Sequence, residues 1–98
     1  DPEIFRQARV VVDSRAQCAG KGEVQPALGA GNLGDVHAEI GEVLLGRQPG
    51  RERADQVTVF DSTGMAIQDT TTAAAIHRRA LERGIGTVFD FLAPDPGP

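Results

Sequence analysis

Val57-Thr58-Val59-Phe60-Asp61-Ser62-Thr63-Gly64-Met65-Ala66-Ile67-Gln68-Asp69 changes character partway along. Its first four residues are β-branched or apolar, which predicts a buried strand. A polar turn follows, in which Ser62 or Thr63 supplies the hydroxyl of a helix N-cap. Beyond it the apolar positions take helical spacing, with Ala66, Ala73, Ile76 and Ala80 on one stripe. The spacing predicts a long helix up to Arg83, closed by Gly84. The run Thr70-Thr71-Thr72 lowers its intrinsic stability, so tertiary packing must hold it.

The flanks repeat this alternation. Arg9-Val10-Val11-Val12-Asp13 reads as another buried strand. Ser14, with Gln17 three residues on, is a capping-box start to a helix over residues 14–22 or as far as 25. Gly20, Gly22 and Pro26 weaken that helix, and residues 26–34 read as a Gly-rich loop. Asp35 is placed to cap a helix carrying Val36, Ile40, Val43 and Leu44 on one face, with Gly46 at its end. Residues 86–91 read as a third strand, and residues 93–98 as a Pro-rich tail. Alternating strands and helices imply an α/β fold with a parallel sheet.

Composition narrows the function classes. The chain has 98 residues, enough for one small domain. Forty per cent hydrophobic residues make it globular rather than disordered. A net charge of -4 argues against nucleic acid or an anionic membrane as main partner. No apolar run suits a membrane span or signal peptide. The one cysteine, Cys18, excludes an internal disulfide and fits a reducing compartment such as the cytoplasm.

Gly29-Ala30-Gly31-Asn32-Leu33-Gly34 matches the dinucleotide-binding pattern G-x-G-x-x-G. That fingerprint needs a strand just before it, and Val24-Gln25-Pro26-Ala27-Leu28 is a poor one, because Pro26 removes a ladder donor. Its other two requirements are a following helix and an acidic residue about 20 positions on. Asp55 falls in a loop and Asp61 comes late. The competing readings are a phosphate site and a surface loop, and Pro26 favours the loop. His37-Ala38-Glu39 has the H-x-E spacing of zinc deaminases, but the partner P-C-x-x-C is absent. No metal site is expected. His77, Arg78 and Arg79 read as a cation cluster in a last helical turn. Nothing local pairs a nucleophile with a base, so no catalytic residue is assigned.

The junction at Ser62 is the better candidate. Ligands of open parallel sheets bind at the carboxyl ends of the strands. The turn offers two hydroxyls, backbone N–H groups at a helix start, and close approach at Gly64. A plain helix cap is the competing reading.

VTVFDSTGMAIQD resembles the C-terminal signature of the ornithine cyclodeaminase/mu-crystallin family: a TVF strand, Asp or Lys, Ser-Val-Gly, then an apolar helix start ending in an acidic residue. The stretches ARVVVDSR (residues 8–15), VHAEIGEVLL (residues 36–45) and GRQPGR (residues 46–51) resemble the segments preceding it, in the same order. The resemblance implies the C-terminal part of a Rossmann-type parallel sheet with flanking helices. Residues 1–92 would be a partial NAD(P)-binding domain with a helix returning to a dimerisation domain, and residues 93–98 a tail. It implies that the nucleotide fingerprint, the substrate-binding lysine and arginine and the catalytic aspartate precede Asp1. GAGNLG then falls in a variable loop.

Two site residues carry over from the resemblance. Ser62 matches the serine that contacts the nicotinamide end of NAD or NADP. Thr63 matches the following residue, usually valine, which lines the substrate pocket. Threonine there leaves the substrate open. The activities implied are ornithine cyclisation with loss of ammonia (a lyase reaction), ketimine reduction and amino-acid dehydrogenation. All involve hydride transfer between nicotinamide and a Cα–N centre. The partners implied are a small amino-acid or imine substrate and a second copy of the chain in a homo-oligomer, foremost a dimer. The alternative function is a stand-alone, non-catalytic, self-associating α/β module.

Overall fold

A computed structural model describes residues 1–94; residues 95–98 of the expected tail lie outside the described residues. The chain divides into two compact units, Asp1–Met65 and a second that begins at Ala66.

The first unit opens with a 3-10 helix, Pro2–Arg6, capped by the Asp1 side chain. Then come β1 (Arg9–Val12), α1 (Arg15–Cys18), α2 (Val24–Gly29), β2 (Ala38–Glu39), α3 (Ile40–Leu44) and β3 (Thr58–Asp61). The three strands form one sheet in the order β2-β1-β3. Both pairings are parallel, with Val11 opposite Ala38 and Val12 opposite Asp61. The alternating α/β reading and the parallel sheet are borne out.

Side chains of β1 alternate across the sheet. Val10 and Val12 enter a core with Phe5, Cys18, Val24, Ala27, Leu33 and Val36. Full burial of a valine such as Val12 contributes about 2 kcal/mol. Val11 is buried on the other face, where a cavity of about 260 Å³ is also lined by Ile40 and Val43.

Local expectations fare unevenly. Ser14 caps α1, accepting from the Gln17 N–H, but that helix stops at Cys18. Residues 24–29 are helical, so the loop expected over residues 26–34 begins only after Gly29. Pro26 is tolerated because it lies in the first turn, where its missing N–H has no intrahelical partner. Asp35 caps no helix; its carboxylate accepts from the Val36 N–H. Residues 38–39 instead join the sheet, and α3 begins after Glu39, which forms a capping box with Glu42. Gly46 does end that helix, donating to the Val43 carbonyl. β3 is only half buried, with Phe60 52% exposed, because among the described residues it pairs on one side alone.

The second unit is α4 (Ala66–Arg83) and the segment after it. Gly84 closes α4, and the Ile85 N–H reaches back to the Ala80 carbonyl. The expected stripe is not buried: Ala66, Ala73 and Ile76 are exposed and Ala80 is half buried. Residues 86–91 form no strand. Their sequence suits one, but among the described residues the second unit holds no strand to satisfy their backbone groups.

Candidate functional site

Parallel pairing of β1 and β3 brings both strand ends to one edge of the sheet, with Val12 opposite Asp61. The chain therefore emerges side by side at Asp13 and Ser62. Asp13 is 6% exposed and is the buried charged residue of the first unit. Its Oδ2 accepts from the Gly64 N–H at 2.7 Å and the Ser62 hydroxyl at 3.2 Å. Its Oδ1 accepts from the Ser14 N–H at 2.9 Å and the Thr63 hydroxyl at 3.0 Å. The Cys18 thiol, 3.9 Å from Oδ1, adds a weak fifth contact.

Burial alone would raise the Asp13 pKa. The backbone N–H groups of Thr63 and Gly64, then the Thr63 and Ser62 hydroxyls, outweigh it and hold the pKa at about 2, below the ordinary 3.8. Asp13 is thus ionised at neutral pH and can only accept hydrogen bonds. Burial pushes the neighbouring Cys18 thiol up, as does the nearby negative charge of Asp61.

Ser62 and Thr63 do not stand at the cap position of α4, because four residues separate β3 from that helix, which begins at Ala66. Both hydroxyls instead donate to Asp13. The Thr63 oxygen also lies 3.2 Å from the Gln17 amide. Ser62 is exposed and Thr63 half buried. Gly64 has φ +86, and a Cβ built on it would meet nothing within 4 Å, so the turn borders open space.

Asp61 does the capping, but of another element. Its Oδ2 accepts from the Glu23 and Val24 N–H groups at 3.1 and 3.0 Å, which closes the start of α2 from across the sheet. Gly22, at φ +85, permits the approach: a Cβ there would lie 3.0 Å from both Asp61 Oδ2 and Thr63 Cγ2. A cavity of about 270 Å³ opens beside Asp61, lined also by Phe5, Pro26 and Phe60.

The other sequence motifs have structural roles. GAGNLG is the end of α2 and the turn behind it, held by the Asn32 and Leu33 N–H groups on the Ala27 carbonyl. No strand leads into it. The His37 ring contacts the Pro49 carbonyl at 2.8 Å, and Glu39 accepts from the Arg15 N–H. Among the described residues no group of His, Cys, Asp and Glu could hold a metal ion. The residue that sequence reasoning missed is Asp13. Its signal was an acidic residue at the carboxyl end of an apolar strand, the position where parallel sheets place their sites.

The chain belongs to the ornithine cyclodeaminase/mu-crystallin family, whose model matches residues 1–84. It is 43% identical over 94 residues to the alanine dehydrogenase of Archaeoglobus fulgidus, a match covering 94% of this chain and 29% of that enzyme. Among solved structures it resembles an archaeal alanine dehydrogenase dimer with bound NAD at TM-score 0.72 and 41% identity, over 94% of this chain and 29% of that one. It also resembles Thermococcus litoralis Delta(1)-pyrroline-2-carboxylate reductase in complex with NADH and L-proline, at TM-score 0.74 and 36% identity, over 91% and 28% of the two chains. The chain thus spans less than a third of the length of these relatives.

Proposed function

We propose that this member of the family is the C-terminal part of an NAD(P)-dependent amino-acid or imine oxidoreductase. Residues 1–92 contribute part of its nucleotide-binding domain and the helix that returns to a dimerisation domain. Ser62 contacts the nicotinamide end of NAD or NADP, and Thr63 lines the substrate pocket. The observation that carries this reading is the Ser62-Thr63-Gly64 turn at the carboxyl ends of two parallel strands, braced on the buried Asp13. The relatives that bind NAD or NADH support it.

The residues present suit one end of the cofactor only. The open space at Gly64 and the exposed Ser62 hydroxyl suit a flat polar ring. The GAGNLG turn ends a helix rather than opening one, so its N–H groups do not form the cradle that a pyrophosphate needs. When bound, the nicotinamide gives or takes a hydride. This chain's residues hold and orient the ring, and the half-buried Thr63 shapes the adjoining pocket. The chain alone should therefore turn over neither ornithine nor imines. We assign it to the cytoplasm, a reducing compartment that suits the free thiol of Cys18.

The test is a graft. This chain replaces the matching segment of the Archaeoglobus fulgidus alanine dehydrogenase, and NAD binding is measured by calorimetry. Binding close to that of the parent enzyme, weakened by Ser62→Ala, is the expected result. A folded graft that binds no NAD overturns the reading. The self-associating alternative is favoured by one observation, the exposed apolar residues Ile76, Leu81, Phe89 and Phe91 of the second unit. As part of the first reading, the same residues serve dimerisation.

A further inference from the structure

The hydrogen-bond polarity of the turn is decided by Asp13. A hydroxyl carries one proton. The Ser62 proton lies on Asp13 Oδ2, and the Thr63 proton on Asp13 Oδ1. The Gln17 amide is a weaker competitor for the Thr63 proton, because a carboxylate accepts more strongly than a neutral carbonyl. With both protons committed, each oxygen has only lone pairs left to offer.

Asp13 cannot readily turn away from this task. Each of its oxygens also takes a backbone N–H, Gly64 on one and Ser14 on the other. Those two donors are fixed by the chain path and cannot reverse. They lock the carboxylate in the plane in which it meets both hydroxyls. No other charged side chain makes a hydrogen bond to Ser62 or Thr63 among the described residues.

We propose that Asp13 is a positioning residue that makes Ser62 and Thr63 obligate hydrogen-bond acceptors, so that the turn selects a ligand edge presenting N–H donors. Resting on the nicotinamide reading above, the edge that Ser62 recognises is the NH2 of the nicotinamide carboxamide, not its carbonyl. Thr63, in place of an apolar residue, accepts from an N–H of an amino-acid or imine substrate. Asp13 itself touches neither ligand.

Three dinucleotides separate the possibilities. In the thionicotinamide analogue of NAD the carboxamide NH2 is kept; in the 3-acetylpyridine analogue a methyl group replaces it. Each is titrated by calorimetry into the folded graft of this chain in the Archaeoglobus fulgidus alanine dehydrogenase described above. NAD and the thionicotinamide analogue should bind alike. The acetylpyridine analogue should bind roughly five- to ten-fold more weakly, the worth of one hydrogen bond. Ser62→Ala should erase the difference. Equal binding of the acetylpyridine analogue and NAD overturns the inference and leaves the nicotinamide reading standing. Failure of all three to bind the folded graft overturns the nicotinamide reading. The inference is then decided without ligand, by the hydroxyl protons themselves. Slow solvent exchange of the Ser62 and Thr63 hydroxyl protons at neutral pH supports commitment to Asp13, and exchange as fast as in a free serine or threonine overturns it.

Discussion

The Asp13 carboxylate and the Gly64 N–H, 51 residues apart in sequence, meet at 2.7 Å. This contact joins the exit of β1 to the exit of β3 and holds the turn between them. Asp61 makes the complementary link, from the end of β3 to the start of α2. The two aspartates differ in how they are used, and substitutions should expose the difference.

Asp13 accepts a backbone N–H on each oxygen, whereas Asp61 accepts both of its backbone N–H groups on Oδ2. An asparagine at position 13 must set its NH2 against one fixed donor. An asparagine at position 61 can turn its oxygen to both. Asp13→Asn should therefore cost about 2 kcal/mol, the penalty of an unsatisfied buried group. Asp61→Asn should cost less than about 1 kcal/mol, and Asp61→Ala about 1 kcal/mol as a lost cap. Urea denaturation of the variants checks the order; equal losses for the two asparagines would refute it.

Acid should act through Asp13. Its folded pKa of about 2 lies below the ordinary 3.8, so the unfolded chain binds this proton more readily than the folded one. The stabilisation is complete above about pH 5, falls as the pH drops through 3.8, and is gone once the pH passes below about 2. Unfolding free energies measured from pH 6 down to pH 3 should decline in the wild type. The decline should be shallower in Asp13→Ala.

Alanine at two glycines should be unequal. Gly22 and Gly64 both have left-handed backbones, at φ +85 and +86, which cost a side chain about 1 kcal/mol or more. At Gly22 the new methyl also strikes Asp61 and Thr63, whereas at Gly64 it meets open space. Gly22→Ala should therefore lower the melting temperature more than Gly64→Ala. Gly41, with φ outside the left-handed region and no neighbour in reach, should tolerate alanine.

Cys18 should be inert in the folded chain. It is 1% exposed and its pKa is raised, so little thiolate forms and little reagent reaches it. Iodoacetamide at pH 8 should label it at a rate that follows unfolding and rises steeply in urea. Rapid labelling without denaturant would contradict the burial of this side chain.

The second unit should drive self-association. Ile76 is 62% exposed, and Leu81, Phe89 and Phe91 are exposed with it, more apolar surface than a small monomer usually leaves in water. Light scattering at high micromolar concentration should detect a dimer or larger species. Leu81→Glu should shift it towards monomer.

What the sequence by itself determined was set by near neighbours. The β-branched runs at Val10 and Val57 became strands, Ser14 capped a helix through Gln17, and Gly46 and Gly84 ended helices. Each needs only a few adjacent residues. The parallel α/β arrangement followed from their alternation, and the motif around Ser62 marked the family and the place of the candidate site. Tertiary structure decided the rest because the deciding partners are remote. Residues 24–29 fold as a helix whose start is capped by Asp61, 37 and 38 residues away. Residues 38–39 became a strand because β1 offered them a ladder, and residues 86–91, with equal strand character, meet no strand among the described residues of their own unit. Ser62 and Thr63 were ordinary cap residues until parallel pairing set Asp13 beside them. A hydroxyl proton goes to the strongest acceptor within reach, and only the register of β1 against β3 brings that acceptor there.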